Sequence, residues 1–232
     1  FFSTFALMFL IATPSFGEGV AIKNYGHSSL LITGGGRKIL LNPFKAVACA
    51  EGLLEPKLKA DIILASSELA DEGARLSEGT FFVDPGSYQV GDFSFEGFQV
   101  PHDRMGGRRF GQATLWTWKQ GGLKFAHLGG SASPLSFEDK LLIGRPDVLI
   151  IAVGGGAKVY NGQEAALVVQ ELNPQVVIPV QYVRNKIIPT SCDQTGIEPF
   201  LEAVKEIPLK KVGNKFSLTK DIARQKTIYI ME

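Results

Sequence analysis

The chain has 232 residues, 45% of them apolar, with 24 Lys and Arg set against 23 Asp and Glu. That length buries a full core without staples, and a net charge of +1 lacks the basic face or tail of a general nucleic-acid binder. Two cysteines far apart in sequence exclude a zinc ribbon or a redox pair, and three histidines limit any His-rich metal centre.

Residues 1–17, FFSTFALMFLIATPSFG, are uncharged and apolar, yet short and proline-interrupted for a membrane span. They resemble the h-region of a secretory signal, with Ser15-Phe16-Gly17 as a small-x-small pattern. A basic n-region and an initiator Met are not in the sequence, so a longer leader is expected. The alternatives are an uncleaved anchor or a first strand. On the signal reading the protein is extracytoplasmic, in a periplasm or equivalent lumen. Residues 18–232 then form one domain that touches a membrane only through its N-terminal segment.

From Glu18 onward the pattern is of short strands. VAIKNYG and SLLITGGGRKILLNPF predict three strands with a Gly34–Gly36 turn, because glycine supplies the positive φ that tight turns need. DIILASSELADEG, residues 61–73, runs from an apolar strand through a small-residue turn into an acidic segment that predicts a helix from Glu68 to Arg75. FFVDPGSYQVGDFSFEGFQV and ATLWTWKQGGLKFAHLGG add hairpins that turn at Asp84-Pro85-Gly86, Gly91-Asp92 and Gly121-Gly122.

The second half changes period. SFEDKLLIG predicts a short helix, and DVLIIAV a strand buried on both faces. Asn161 and Glu164 have capping-box spacing ahead of QEAALVVQEL, which Pro174 ends. QVVIPVQY is a second buried strand, IEPFLEAVKEI a further helix, and KFSLT and TIYIM are closing strands. Hairpins followed by β-α-β-α predict an α/β fold of two mixed sheets packed face to face with helices outside. Gly154–Gly156 lies between a strand and a helix, but no nucleotide-binding glycine spacing is present.

The strand ends carry GHSS at 26–29, LNPF at 41–44, ASSELADEG at 65–73, PHDRMGGRRF at 101–110, AHLGG at 126–130 and VQY at 180–182. In that order they resemble the motifs of the metallo-β-lactamase superfamily, in its ascorbate-6-phosphate-lactonase-like branch. The resemblance spans about residues 20–230. It implies a four-layer αββα sandwich with a dinuclear zinc site at the edges of the two sheets.

Carried over position by position, that site is altered. The first zinc would fall on Ser67, Leu69 and His102, and the second on Asp71, Glu72 and Gln181. Gly130 stands at the bridging carboxylate, and Asn42 at the supporting Asp of the second loop. Zinc takes N, S or carboxylate ligands, so leucine and glycine supply nothing and serine little. The resemblance therefore implies a degenerate member, with no cofactor expected. Two readings of the remnant stay open. In the first, Asp71 and Glu72 are helix-start carboxylates, while His102 and Gln181 make ordinary hydrogen bonds. In the second, Asp71, Glu72, Gln181 and Glu68 form a weak all-oxygen site for Mg²⁺, Mn²⁺ or Ca²⁺.

His27 and His127 fall in family motifs without being ligands there. His27, Ser29, Asn42, Glu68 and Asp103 are candidate pocket residues, Ser29 sharing a strand face with His27 by alternation. Arg104, Arg108, Arg109, Arg184 and Lys186 lie on two rim loops, where guanidinium forks suit a small anionic ligand; solvated surface charge is the alternative. Because the resemblance brings their loops to one side of the sandwich, Cys49 and Cys192 are expected to form a disulfide. The sequence thus points to a hydrolase-like protein that binds a ligand or partner, or keeps weak non-zinc hydrolysis. An active metal-dependent hydrolase of a phosphorylated or lactone substrate, and a structural subunit of an envelope assembly, are the alternatives.

Overall fold

The computed structural model describes residues 19–184 and 188–232, so the N-terminal segment 1–17 and Lys186 lie outside the described residues. Its strands are Val20–Gly26 (β1), Ser29–Gly34 (β2), Arg37–Leu41 (β3), Lys59–Leu64 (β4), Glu78–Phe82 (β5), Gly86–Val90 (β6) and Phe93–Pro101 (β7). They continue as Gln112–Gln120 (β8), Leu123–His127 (β9), Val148–Ala152 (β10), Val176–Val180 (β11), Leu209–Val212 (β12), Lys215–Leu218 (β13) and Thr227–Met231 (β14). The helices are Phe137–Ile143 (α1), Gly162–Leu172 (α2) and Glu198–Ala203 (α3).

The first sheet runs β13-β1-β2-β3-β4-β5, and the second β12-β14-β11-β10-β9-β8-β7-β6. Antiparallel hairpins make one flank of each, while β3, β4 and β5 pair in parallel, as do β9, β10, β11 and β14. Between the sheets lies the larger core, where Ile22, Ile32, Ile62 and Leu64 meet Phe95, Trp116, Phe125 and Ile150. Strand β10 shows why its sequence carries no alternation. Val148, Ile150 and Ala152 face the other sheet, while Leu149 and Ile151 face Val168, Val169 and Leu172 of α2.

This is the mixed α/β sandwich that the sequence predicts. Among the described residues all three α-helices pack over the second sheet, and Leu40, Ala60 and Ile63 make a thin apolar patch on the outside of the first. The capping box of Asn161 and Glu164 opens α2 as expected. A second capping box, of Ser136 and Asp139, opens α1. No helix among the described residues is long and apolar enough to cross a membrane.

One predicted element is not formed. Glu68–Arg75 is a turn rather than a helix. The Leu69 carbonyl accepts from both Glu72 and Gly73 N–H, and the chain then folds back beneath Ser67. A side chain at Gly73 would put its Cβ 1.8 Å from the Ser67 carbonyl oxygen, so the turn closes only with glycine there. The short strand β12 escaped the sequence pattern because its residues are mostly exposed and its Lys210-Lys211 pair carries no apolar alternation.

The disulfide is present, joining Cys49 after β3 to Cys192 after β11 across 143 residues of sequence. Closing so long a loop removes entropy from the unfolded chain worth about 4–5 kcal/mol in the chain-entropy model. Urea denaturation of the Cys49→Ser/Cys192→Ser double variant should therefore show a loss of several kcal/mol. Equal midpoints for variant and parent would contradict a stabilising bridge.

Candidate functional site

The parallel strands of both sheets send their carboxyl ends to one edge of the sandwich, the place where layered α/β folds leave a crevice. Asn42 follows β3, Ser66 and Ser67 follow β4, His102 follows β7, and Gln181 follows β11. His27, Asn42 and Gln181 all have positive φ, at 50°, 39° and 53°. Such backbone is costly for residues with a Cβ, and it gathers where the surroundings enforce it. Here the enforcement is visible, since Gln181 N–H donates to the His27 carbonyl and Asn42 N–H to that of Leu64.

At the centre is the carboxylate of Glu72, with no exposed surface. Its Oε2 accepts from Ser67 Oγ at 3.0 Å, Ser66 Oγ at 3.2 Å and His102 Nε2 at 2.9 Å. Its Oε1 accepts from Gln181 Nε2 at 3.0 Å. Burial alone would raise the pKa of this carboxyl. The hydrogen bond and charge of His102, with Lys158 and Gln181, outweigh it and hold Glu72 well below the usual carboxylate range. His102 moves the opposite way: burial opposes its charge, but the Glu72 hydrogen bond raises its pKa. The contact is a buried hydrogen bond, and a buried ion pair when His102 is protonated.

Supporting groups fix each donor. Asn42 grips Ser66 twice, accepting its N–H at Oδ1 (2.8 Å) and donating from Nδ2 to its Oγ (2.9 Å). An aspartate could not make the second bond. Gly130 N–H also donates to Ser66 Oγ. Gly130 itself lies against the carboxylate, since a Cβ there would stand 2.1 Å from Glu72 Oε1. Asp71 points elsewhere, to Lys158 Nζ at 2.5 Å, with His27 Nε2 at 3.9 Å from the same oxygen. Among the described residues no group of three or more His, Cys, Asp or Glu is set to hold a metal ion.

Of the positions singled out in sequence, Ser67, Asp71, Glu72, His102 and Gln181 come together, with Asn42 behind them and Gly130 beside them. Leu69 lies on the rim of an adjoining cleft of about 520 Å³, with Ser67, Phe110 and Thr114. Glu68 turns outward to Arg75, away from any common oxygen site. Ser29 does not join His27, because the turn at His27 breaks strand alternation and Ser29 Oγ donates to the Leu41 carbonyl. Asp103 organises the next loop, accepting from the N–H groups of Met105, Gly107, Arg109 and Phe110. Arg104 spans from that loop to Glu164 and to the carbonyls of Gly156 and Val159, so its fork is engaged. Arg108, Arg109 and Arg184 are exposed, with Arg109 stacked on Phe110 and Arg184 on Tyr182. Lys158 carried no sequence signal; its position in VGGGAKVY, between a buried strand and a capped helix, was the available clue.

His127 is also fully buried beneath this site, and neither ring nitrogen has a hydrogen-bond partner among the described residues. Burial lowers its pKa to about 4. A histidine depressed in the fold costs nothing above its unfolded value of 6.5, and destabilises progressively as pH falls from there to about 4. Glu72 acts below most of that range, since a depressed carboxyl keeps its stabilisation above its ordinary value of 4.5 and loses it as pH falls under that. His102, raised, gives stability that is lost as pH rises through its folded value. Melting temperature should thus drop on acidification from 6.5 towards 4. His127→Leu should flatten that limb by on the order of 3 kcal/mol at its acid end. Parallel profiles for variant and parent would show that His127 is not buried in neutral form.

The sequence profile of the family described as Beta-lactamase superfamily domain matches residues 21–181. No curated protein matches the chain in sequence. Among solved structures, one from Thermotoga maritima, a candidate Zn-dependent hydrolase of the metallo-β-lactamase superfamily, is 24% identical with a TM-score of 0.72. The alignment covers 91% of this chain and 98% of that one. A candidate metal-dependent hydrolase from Parabacteroides distasonis is 15% identical, TM-score 0.61, over 81% of this chain and 89% of that one. The metallo-β-lactamase fold protein YhfI from Bacillus subtilis is 10% identical, TM-score 0.57, over 92% and 96%.

Proposed function

The chain belongs to the β-lactamase superfamily domain family, and from that premise we propose that it is a hydrolase-like member whose metal site is closed by its own side chains. On this reading it works by binding a ligand, not by zinc hydrolysis, in an extracytoplasmic compartment. The observation that carries the proposal is the Glu72 carboxylate. It lies against Gly130, the position where the family resemblance puts a bridging carboxylate, and it takes up the hydrogen bonds of Ser67, His102 and Gln181.

The residues present do not fit a zinc pair. Leu69 has no donor atom, Gly130 has no side chain, the Ser67 hydroxyl is given to Glu72, and an ammonium already neutralises Asp71. Without an open metal position there is no metal-bound water of lowered pKa to act as nucleophile. The disulfide and the apolar segment 1–17 support an oxidising, exported setting.

Elemental analysis of protein purified without chelator tests the closed site. Zinc should be far below one ion per chain, and EDTA should leave the melting temperature unchanged. Two zinc ions per chain, with stability lost on chelation, would sink the proposal.

The ligand we assign is a small anion held at the rim by Arg108, Arg109 and Arg184. The adjoining cleft is a poorer place for it, because Glu68 and Asp84 line that cleft with negative charge. Binding of a phosphorylated or carboxylated probe should weaken about tenfold in Arg108→Ala/Arg109→Ala, and should weaken in the parent protein with added salt. A screen without anion preference would refute this assignment and leave the closed site standing.

A further inference from the structure

The cleft of about 520 Å³ beside Ser66 and Ser67 is walled by both sheets and has the size of a small-molecule site. Its floor comes from the second sheet. Gln99 of β7 faces Thr114 of β8 across the ladder, and Gln112 lies two residues before Thr114, so strand alternation puts all three on one face. Thr114 also fastens the walls to that floor. Its N–H donates to the Ser66 carbonyl after β4, and its hydroxyl donates to the Val83 carbonyl after β5 at 2.6 Å. Leu69, Val83, Pro85 and Phe110 give the cleft its apolar surface. Walls fixed in this way lose little freedom when a ligand enters.

The charges around the cleft are separated by sign. Among the described residues that line it none is basic, and two, Glu68 and Asp84, are acidic. Glu68 gives one carboxylate oxygen to Arg75 at 3.2 Å, but both side chains are mostly exposed, so the pair screens its charge only in part. Asp84 is exposed at the turn between β5 and β6, where Tyr88 Oη donates to its carbonyl and holds the turn. The Phe110 wall differs. The Arg109 guanidinium lies 4.8 Å from the centre of the Phe110 ring, and the N–H groups of both residues donate to Asp103 Oδ2. Negative charge thus stands at two walls and positive charge beside a third. A simple anion meets repulsion inside the cleft, and a simple cation meets repulsion from Arg109.

We propose that the cleft is the second half of the ligand site and takes an ammonium group, so that the ligand is a zwitterion: an amine joined through a short apolar chain to a carboxylate or phosphate. The anionic end stays on Arg108 and Arg109 at the rim. The ammonium enters the cleft towards Glu68 and Asp84, where the amide oxygens of Gln99 and Gln112 are further acceptors. The chain between the two charges lies along Leu69, Val83 and Phe110. This inference rests on the rim-arginine reading of the ligand and deepens it, since the arginines alone do not tell an anion with an amine from one without.

Calorimetric titration with 6-aminohexanoate and hexanoate compares two carboxylates of matching chain, only one of which carries an ammonium. The parent protein should bind 6-aminohexanoate about fivefold more tightly, the effect of two exposed charge pairs. Glu68→Gln/Asp84→Asn, which alters exposed side chains alone, should remove that preference without weakening hexanoate. Arg108→Ala/Arg109→Ala should weaken both probes. Equal affinities in the parent, or a preference that survives in Glu68→Gln/Asp84→Asn, overturn the proposal. Should neither carboxylate bind, butylammonium decides: binding that is lost in Glu68→Gln/Asp84→Asn supports the ammonium site, and no binding overturns it. The two readings fail separately. Hexanoate binding without an amine preference removes the cleft and keeps the rim arginines, whereas butylammonium binding without hexanoate binding removes the rim arginines and keeps the cleft.

Discussion

A charged carboxylate with no exposed surface must be solvated entirely by the protein, and Glu72 imposes that condition on every loop at this edge of the sandwich. Its four donors come from the end of β4 in the first sheet and from the ends of β7 and β11 in the second. The carboxylate therefore ties the two sheets together at the place where their strands stop pairing. Loss of any donor would leave a charge partly unsolvated, which costs more than the net worth of one hydrogen bond. The loops are held in one arrangement for that reason.

The neighbouring residues follow from the same demand. Asn42 Nδ2 and Gly130 N–H both donate to Ser66 Oγ, which leaves its one proton for Glu72. That makes an amide, not a carboxylate, the fitting group at position 42. Gly130 must stay small because the carboxylate fills the space beside it. The positive φ values of Asn42 and Gln181 are tolerated because backbone and side-chain bonds fix both residues, and His27 is held through its carbonyl, which accepts from Gln181 N–H. Replacing one residue of the set without the others would strand a polar group in the interior.

The fold was largely legible in the sequence because burial leaves a period. The continuous apolar runs of β10 and β11 and the glycine turns of the hairpins map directly onto the two sheets. The strand-end motifs named in sequence also include Ser67, Asp71, Glu72, His102 and Gln181, which the structure gathers at one edge of the sandwich. The internal geometry of the site was not legible. Asp71 and Glu72 read as the first turn of a helix, since acidic residues favour that place, whereas the close approach of Gly73 to Ser67 forces a turn that drives Glu72 inward. Lys158 was hidden for another reason. A single lysine in a glycine-rich loop has no pattern, and its importance arises only from a partner 87 residues away. Arg104 misled in the opposite sense: a rim arginine by motif, it spends its fork on Glu164 and two carbonyls within the protein.

The charges at this edge balance within the chain. Asp71 and Glu72 bring two negative charges, Lys158 brings a positive one at 2.5 Å, and His102 brings a second at 2.9 Å when it is protonated. A metal centre takes its cations from solution, so the order of its loops depends on metal supply and on the protonation of its ligands. Cations carried on side chains are present at a fixed local concentration whenever the chain is folded, and they need no loading step. The arrangement also forfeits something. An ammonium and an imidazolium offer hydrogen bonds but no vacant coordination position, so they cannot hold a water and sharpen it into a nucleophile at neutral pH. The contacts of Asp71 and Glu72 hold the ends of β4, β7 and β11 and the β10–α2 loop together from within the chain.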